Sequence, residues 1–250
     1  MSMIVTTVVL DGIVMACDSA NSVVTVMDFQ NLLKGEYAQA AKNILDHKIY
    51  GGNGNTVDSH ITSRSFQKLH VMKGNKIAIS EGNEWVSRQT GVSIKPQIDH
   101  FCLNNNFDNP KAAAMELFRL VRKIDPTMDA KFHVCGYNPD GEMPTPEFWF
   151  VSNLESEPRL AAGNGSGGIC FSGVNDYFTP YTRLINQNLT LYSLQDAIDV
   201  TMWAFDMSMK CERFIDMKER MAPPIDLLVI TESGVEWISK KKLGVHNDSN

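Results

Sequence analysis

The start of the chain most constrains its fold. MIVTTVVL and IVMACDS are β-branched, apolar runs on either side of Asp11-Gly12. Asp and Gly tolerate the positive φ of a type I′ turn, so this spacing predicts an antiparallel hairpin. The pattern recurs in QKLHVMK and NKIAISE around Gly74-Asn75, in KFHVCGYN and PEFWFVSN around Pro139-Asp140-Gly141, and in DLLVITESGVEWI around Ser233-Gly234. Between the hairpins the period changes. Ala113, Leu117, Leu120 and Val121 follow Asn109-Pro110, an N-cap and a first helical residue, and predict an amphipathic helix. Leu194, Ala197, Ile198, Thr201, Ala204, Phe205 and Ser208 predict a longer helix after Ser193, with a mixed small and apolar face. Hairpins, then helices, then hairpins, without regular βα alternation, indicate an α+β fold rather than a parallel doubly wound sheet: two antiparallel sheets faced by helices, a four-layer αββα sandwich.

The 250 residues suffice for one domain spanning 1–250. An insertion interrupts it at about 20–66, where Phe29, Leu32, Leu33, Tyr37, Ala40, Ala41, Ile44 and Leu45 have helical spacing and GGNGN at 51–55 reads as a flexible loop. A net charge of -6 argues against a nucleic-acid or anionic-membrane surface. Cys17, Cys102, Cys135, Cys170 and Cys211 are odd in number and lack C-x-x-C, which reads as reduced thiols in a cytoplasm. Thr6, Thr7 and Asp11 interrupt the apolar start, which therefore reads as neither a signal peptide nor a membrane span.

Several motifs fail on context. Gly163 to Gly168 fits G-x-G-x-x-G, but ICFSG follows where a helix is required, and no acid stands near position 188. Asn164 replaces the first glycine of a G-x-S-x-G nucleophile elbow around Ser166. The six histidines form no H-E-x-x-H or H-x-H pair and no zinc spacing with cysteine, so neither a metal nor a cofactor is expected, and His70 and His133 receive no role. A solvent-facing strand hydroxyl is the simple account of Ser2, Thr6 and Thr7. An exposed ion pair is that of Asp18 and Lys68, contributing under about 1 kcal/mol.

Taken in order, VLDGIVMACDS, QKLH, SEGN, VCGYNPDG, AAGNGSGG and PPIDLLVITESGVEW resemble the β-type subunits of the proteasome family, which are N-terminal nucleophile (Ntn) hydrolases, and in particular the small bacterial proteasome relatives. The resemblance covers nearly the whole chain outside the insertion and the last residues. It implies a nucleophile at the first mature residue, the chain's own α-amine as general base, and an Asp/Lys pair that tunes the site. The family's acid lies sixteen positions after the nucleophile, which identifies Ser2 with Asp18 once Met1 is removed and leaves Thr6 and Thr7 as strand residues. Lys68 resembles the family's lysine. Gly82, fourteen positions later, matches the glycine whose N–H binds the oxyanion, and Ser166 matches the serine of the glycine-rich segment near the N-terminus. A regular hairpin closed by Asp11-Gly12 places Val5 opposite Asp18, about 10 Å from Ser2, a gap that Lys68 would span. Serine replaces the family's usual threonine. KCERFIDMKERMAPP stands where the family places side chains that bind the terminal amine, and offers no evident replacement.

The resemblance implies a proteasome-like peptidase that cleaves amide bonds of peptides or unfolded protein through an acyl-Ser2 intermediate, assembled as a homo-oligomeric ring or spiral. Ser80, two positions before Gly82, matches a residue of the family's first specificity pocket. One alternative is a non-peptide Ntn amidohydrolase. Another is a non-catalytic assembly subunit resembling the α-type ring members, whose extra N-terminal helix finds no room before the first strand here.

Overall fold

The computed structural model describes residues 3–28, 55–63, 66–83, 86, 91, 93–173, 177–186, 189–216 and 220–241. Strands β1 (Met3–Val9) and β2 (Gly12–Cys17) form the first hairpin, and β3 (Asn21–Asp28) pairs with β4 (Asn55–Ser63) as a separate two-stranded ribbon. After it come β5 (Leu69–Val71), β6 (Ile77–Asn83), helices α1 (Lys95–Asn104) and α2 (Pro110–Ile124), then β7 (Ala130–Asn138), β8 (Thr145–Ser152), β9 (Arg159–Ala162) and β10 (Gly168–Gly173). The short helix α3 (Thr182–Asn186), the long helix α4 (Leu194–Cys211), and strands β11 (Asp226–Thr231) and β12 (Gly234–Ser239) complete the order. One sheet runs β10-β1-β2-β11-β12 and the other β5-β6-β7-β8-β9, every pairing antiparallel.

Strand side chains alternate between faces, so continuous apolar runs serve two cores at once. Met3, Val5 and Val9 of β1 pack with Val14, Ala16, Leu227 and Val229 beneath Ala197, Ala204 and Phe205 of α4. Ile4 and Val8 face the other way, toward Leu69, Ala78, Cys135 and Phe148 of the second sheet. On that sheet's far side Ile79, Phe132 and Val134 meet Ile98 and Phe101 of α1 and Ala113, Leu117 and Val121 of α2. The layers are therefore helix, sheet, sheet, helix, the four-layer αββα sandwich expected. Asn109 caps α2 by accepting from the Lys111 N–H at 2.8 Å, and Ser193 and Asp196 form a capping box on α4. Small residues on α4 bring it close to the sheet, where Thr201 Oγ lies 2.7 Å from Thr7 Oγ.

Three sequence expectations are corrected. The first hairpin pairs Val9 with Gly12 and Ile4 with Cys17, so the turn is Leu10-Asp11 and the register differs by two residues from one closed by Asp11-Gly12. Gly12 is required by space rather than by positive φ: a Cβ there would lie 2.7 Å from the Ile230 carbonyl oxygen of β11. Thr6 and Thr7 are fully buried rather than solvent-facing. Helix α1 and strand β10 are additional to the expected elements, and the insertion contributes the β3-β4 ribbon. The helix expected over Phe29 to Leu45 lies outside the described residues, as does Ser2.

Candidate active site

β2 ends at Cys17, and the next residue turns its carboxylate inward. Asp18 Oδ1 accepts from the Lys68 ammonium at 2.8 Å and from the backbone N–H of Met3, also at 2.8 Å. Oδ2 accepts from the Ala20 N–H at 2.9 Å. Neither Asp18 nor Lys68 exposes any side-chain surface, so the pair is a buried one and the surface-bridge account is set aside. The corrected register explains the contact. With Ile4 opposite Cys17, Asp18 falls opposite Met3, the residue that follows Ser2, and the gap of about 10 Å expected from the other register disappears.

Lys68 is held from two sides. Its carbonyl accepts from the Glu81 N–H at 3.0 Å, which places Gly82 of β6 beside the lysine segment. A Cβ at Gly82 would lie 2.6 Å from Ile4 Cδ1, so only glycine brings this backbone so close to β1. Burial holds the Lys68 ammonium below the usual lysine range, opposed by the Asp18 carboxylate and its hydrogen bond. Burial also pushes the neighbouring Cys17 thiol well up, so it is no nucleophile.

Ser166 is not brought to this cluster. Its hydroxyl donates to the Gly163 carbonyl at 2.6 Å, inside a turn where Asn164 and Gly165 take positive φ. β10 runs antiparallel to β1, with Gly168 opposite Val8 and Gly173 opposite Met3. Ser166 therefore sits beyond the hairpin-turn end of β1, and the five residues from Met3 to Val8 alone span about 17 Å. The serine of β10 at the Asp18 end is Ser172, opposite Ile4, with its Cβ 4.0 Å from a Cβ built on Gly82. Its Oγ lies 2.8 Å from Nε2 of the fully buried His133, whose Nδ1 lies 2.8 Å from Thr6 Oγ. The signal for Ser172 is ICFSG, an apolar strand ending in Ser-Gly, overshadowed by the glycine-rich run before it.

The stretch KCERFIDMKERMAPP supports the site through its backbone. Glu212 accepts from the Arg220 N–H at 3.0 Å and from Arg220 Nε at 2.6 Å, folding the segment back. The Ala222 carbonyl then accepts from the Ser19 N–H at 3.0 Å, and the Ala222 N–H lies 3.5 Å from Asp18 Oδ2. A second buried pair, Lys241 with Asp226 at 2.6 Å, adjoins the first and has no sequence signal. His70 is bracketed by Glu81 at 3.0 Å and Asp99 at 3.1 Å. Among the described residues no group of His, Cys, Asp and Glu is arranged to hold a metal ion, and no helix is long and apolar enough to cross a membrane.

No family model and no curated protein matches the chain. Solved structures do. Anbu (ancestral beta-subunit) from Yersinia bercovieri superposes with a TM-score of 0.59 at 13% identity, covering 95% of this chain and 87% of that one. An Anbu mutant from Hyphomicrobium sp. strain MC1 gives 0.58 at 15% identity, covering 99% and 89%. The fold is that of a proteasome subunit. The closeness to the small bacterial proteasome relatives inferred from sequence is corrected by these findings: with no family match, the likeness is one of architecture, and it is to Anbu chains.

Proposed function

We propose that the protein is a proteasome-like peptidase that cleaves amide bonds with Ser2 as an N-terminal nucleophile. The observation that carries this reading is the fully buried Asp18–Lys68 pair, whose carboxylate also binds the backbone N–H immediately after Ser2. With Met1 removed, the Ser2 α-amine has an ordinary pKa near about 7.7–8.0 and accepts a proton at neutral pH. The hydroxyl proton moves to this amine as Ser2 Oγ bonds to the substrate carbonyl carbon. Lys68 disfavours a second positive charge on the amine and stabilises the developing alkoxide, and Asp18 keeps Lys68 charged. The Gly82 N–H binds the oxyanion. The scissile C–N bond then breaks, the departing amine takes the proton back, and water hydrolyses the Ser2 ester. Ser166 has no part in this scheme.

Peptide or unfolded protein is the proposed substrate, and a homo-oligomeric ring or spiral the proposed assembly. The five free thiols are in keeping with a cytoplasmic setting. Mass spectrometry of the N-terminal peptide tests the reading, with loss of Met1 and an epoxyketone adduct on Ser2 expected. Ser2→Ala and a fixed extension before Ser2 should each abolish hydrolysis, the first lacking the nucleophile and the second the base. Amide hydrolysis with Met1 intact overturns it. Turnover of simple amides but of no peptide in a library would instead favour a non-peptide amidohydrolase.

A further inference from the structure

The chain enters the insertion after Ser19 and returns at Phe66, and one ammonium holds both points. Lys241 Nζ donates to Ser19 Oγ at 2.8 Å and to the Phe66 carbonyl at 2.7 Å, alongside a backbone bond from the Phe66 N–H to the Ser19 carbonyl at 3.1 Å. Lys241 is itself fixed. Its N–H donates to Asp226 Oδ1 at 2.8 Å, and its ammonium lies 2.6 Å from Asp226 Oδ2, with the two side chains 2% and 0% exposed. Ser19 follows Asp18, and Phe66 precedes Lys68 by two residues. Asp18 and Lys68 are 50 positions apart in sequence, so their 2.8 Å contact depends on what joins their two segments.

We infer that Lys241 is a positioning residue: by tying Ser19 to Phe66 it sets the distance between Asp18 and Lys68. The inference rests on the catalytic reading of that pair, whereas the tie itself does not. Asp226 supplies the counter-charge that lets a second ammonium be buried beside the first. The charged and titratable groups facing Lys68 are Asp18, Cys17 and Lys241. Lys241 therefore also acts on Lys68 through space, since removing a neighbouring positive charge lets Lys68 hold its proton to higher pH.

The test uses the full chain carrying Lys241→Met, and Lys241→Met together with Asp226→Asn, which leaves no uncompensated charge should the single variant fail to fold. Tryptic cutting at Arg64, two residues before Phe66, is followed by mass spectrometry, and should run at least about fivefold faster in both variants as the root opens. On a fluorogenic peptide, kcat should fall about tenfold or more with KM within about twofold, as expected when geometry at the reacting groups is lost rather than binding. The basic limb of kcat should move to higher pH. Wild-type cutting rates in both variants overturn the tie. Faster cutting with unchanged kcat and pH limb overturns the positioning role. A wild-type protein that hydrolyses no peptide while both variants are cut faster sinks the catalytic reading and leaves the tie standing.

Discussion

The two ends of strand β1 differ in how they spend polar groups. At the Met3 end a carboxylate and an ammonium are sealed from water, and the Asp18 oxygens are shared among Lys68 and backbone donors. At the other end, beyond Val8, a run of glycines and a serine folds into a turn that satisfies itself, Ser166 bonding only three residues back. The glycine-rich end looks more like a motif. The charged end carries the cost: burying two ions is unfavourable by several kcal/mol each unless geometry compensates, so such a pair points to a role that an exposed turn does not.

The largest effect that would sharpen this contrast is expected at Lys68. Lys68→Met should lower kcat on the order of 10²–10³-fold, as for loss of a group that stabilises charge in the transition state. It should also destabilise the fold by about 3–5 kcal/mol, because Asp18 is left as an uncompensated buried charge. Lys68→Met combined with Asp18→Asn should recover most of that stability in urea titrations and none of the activity. Near-wild-type turnover in the single variant would break the contrast.

Next in size is Gly82→Ala. The new methyl would meet Ile4 Cδ1 at 2.6 Å and should cost about 1–3 kcal/mol by overpacking. Ile4→Val, which trims that contact, should restore stability to the double variant in thermal melts. A Gly82→Ala protein as stable as wild type would mean that the approach of β6 to β1 is looser than it stands here.

Midway along β1, Thr6 offers a pH test. Burial, with a smaller contribution from the Arg159 guanidinium, holds the His133 imidazole down to about 3. The folded state therefore binds fewer protons there than the unfolded chain, whose histidine titrates near about 6.5. Stability should fall as pH drops from about 6.5 toward 3, and the His133 ring-nitrogen shifts should not move between about pH 7.5 and 5 in NMR. A midpoint near 6.5 for His133 would show that the pocket between Thr6 and Ser172 is wet. The smallest effect belongs to Ser166→Ala, which should cost about 0.5–1.5 kcal/mol for one hydrogen bond and leave kcat unchanged. A large loss of kcat in that variant would return Ser166 to the site.

Local chemistry made much of this legible in sequence. Gly74-Asn75 takes positive φ at both positions, as a tight turn requires, and Ser193 caps its helix as its spacing from Asp196 implies. Asp18 and Lys68 were visible only through their order along the chain and the company of the flanking motifs. What stayed hidden depended on distant residues. The hairpin register turns on Gly12 against the Ile230 carbonyl, more than two hundred positions away. Helix α1 has no side-chain cap and buries only Ile98, Phe101 and Cys102, too few to show a period. Ser172 and Lys241 have no local signature, because their meaning comes from β1, His133 and Asp226, which only the folded sheets bring to them.

The ribbon of β3 and β4 has an evolutionary consequence. Asn21 pairs with Ser63 near its base and Asp28 with Asn55 at its far end, about 23 Å away for seven residues of strand. Residues 29–54 are thus appended at the distal tip of a two-stranded stem whose base closes on itself. Closing a longer loop costs only about 0.6 kcal/mol for each doubling of its length. Lineages can therefore lengthen, shorten or exchange this appendage almost freely, and natural selection can explore what it recognises without disturbing the ion pair at its foot.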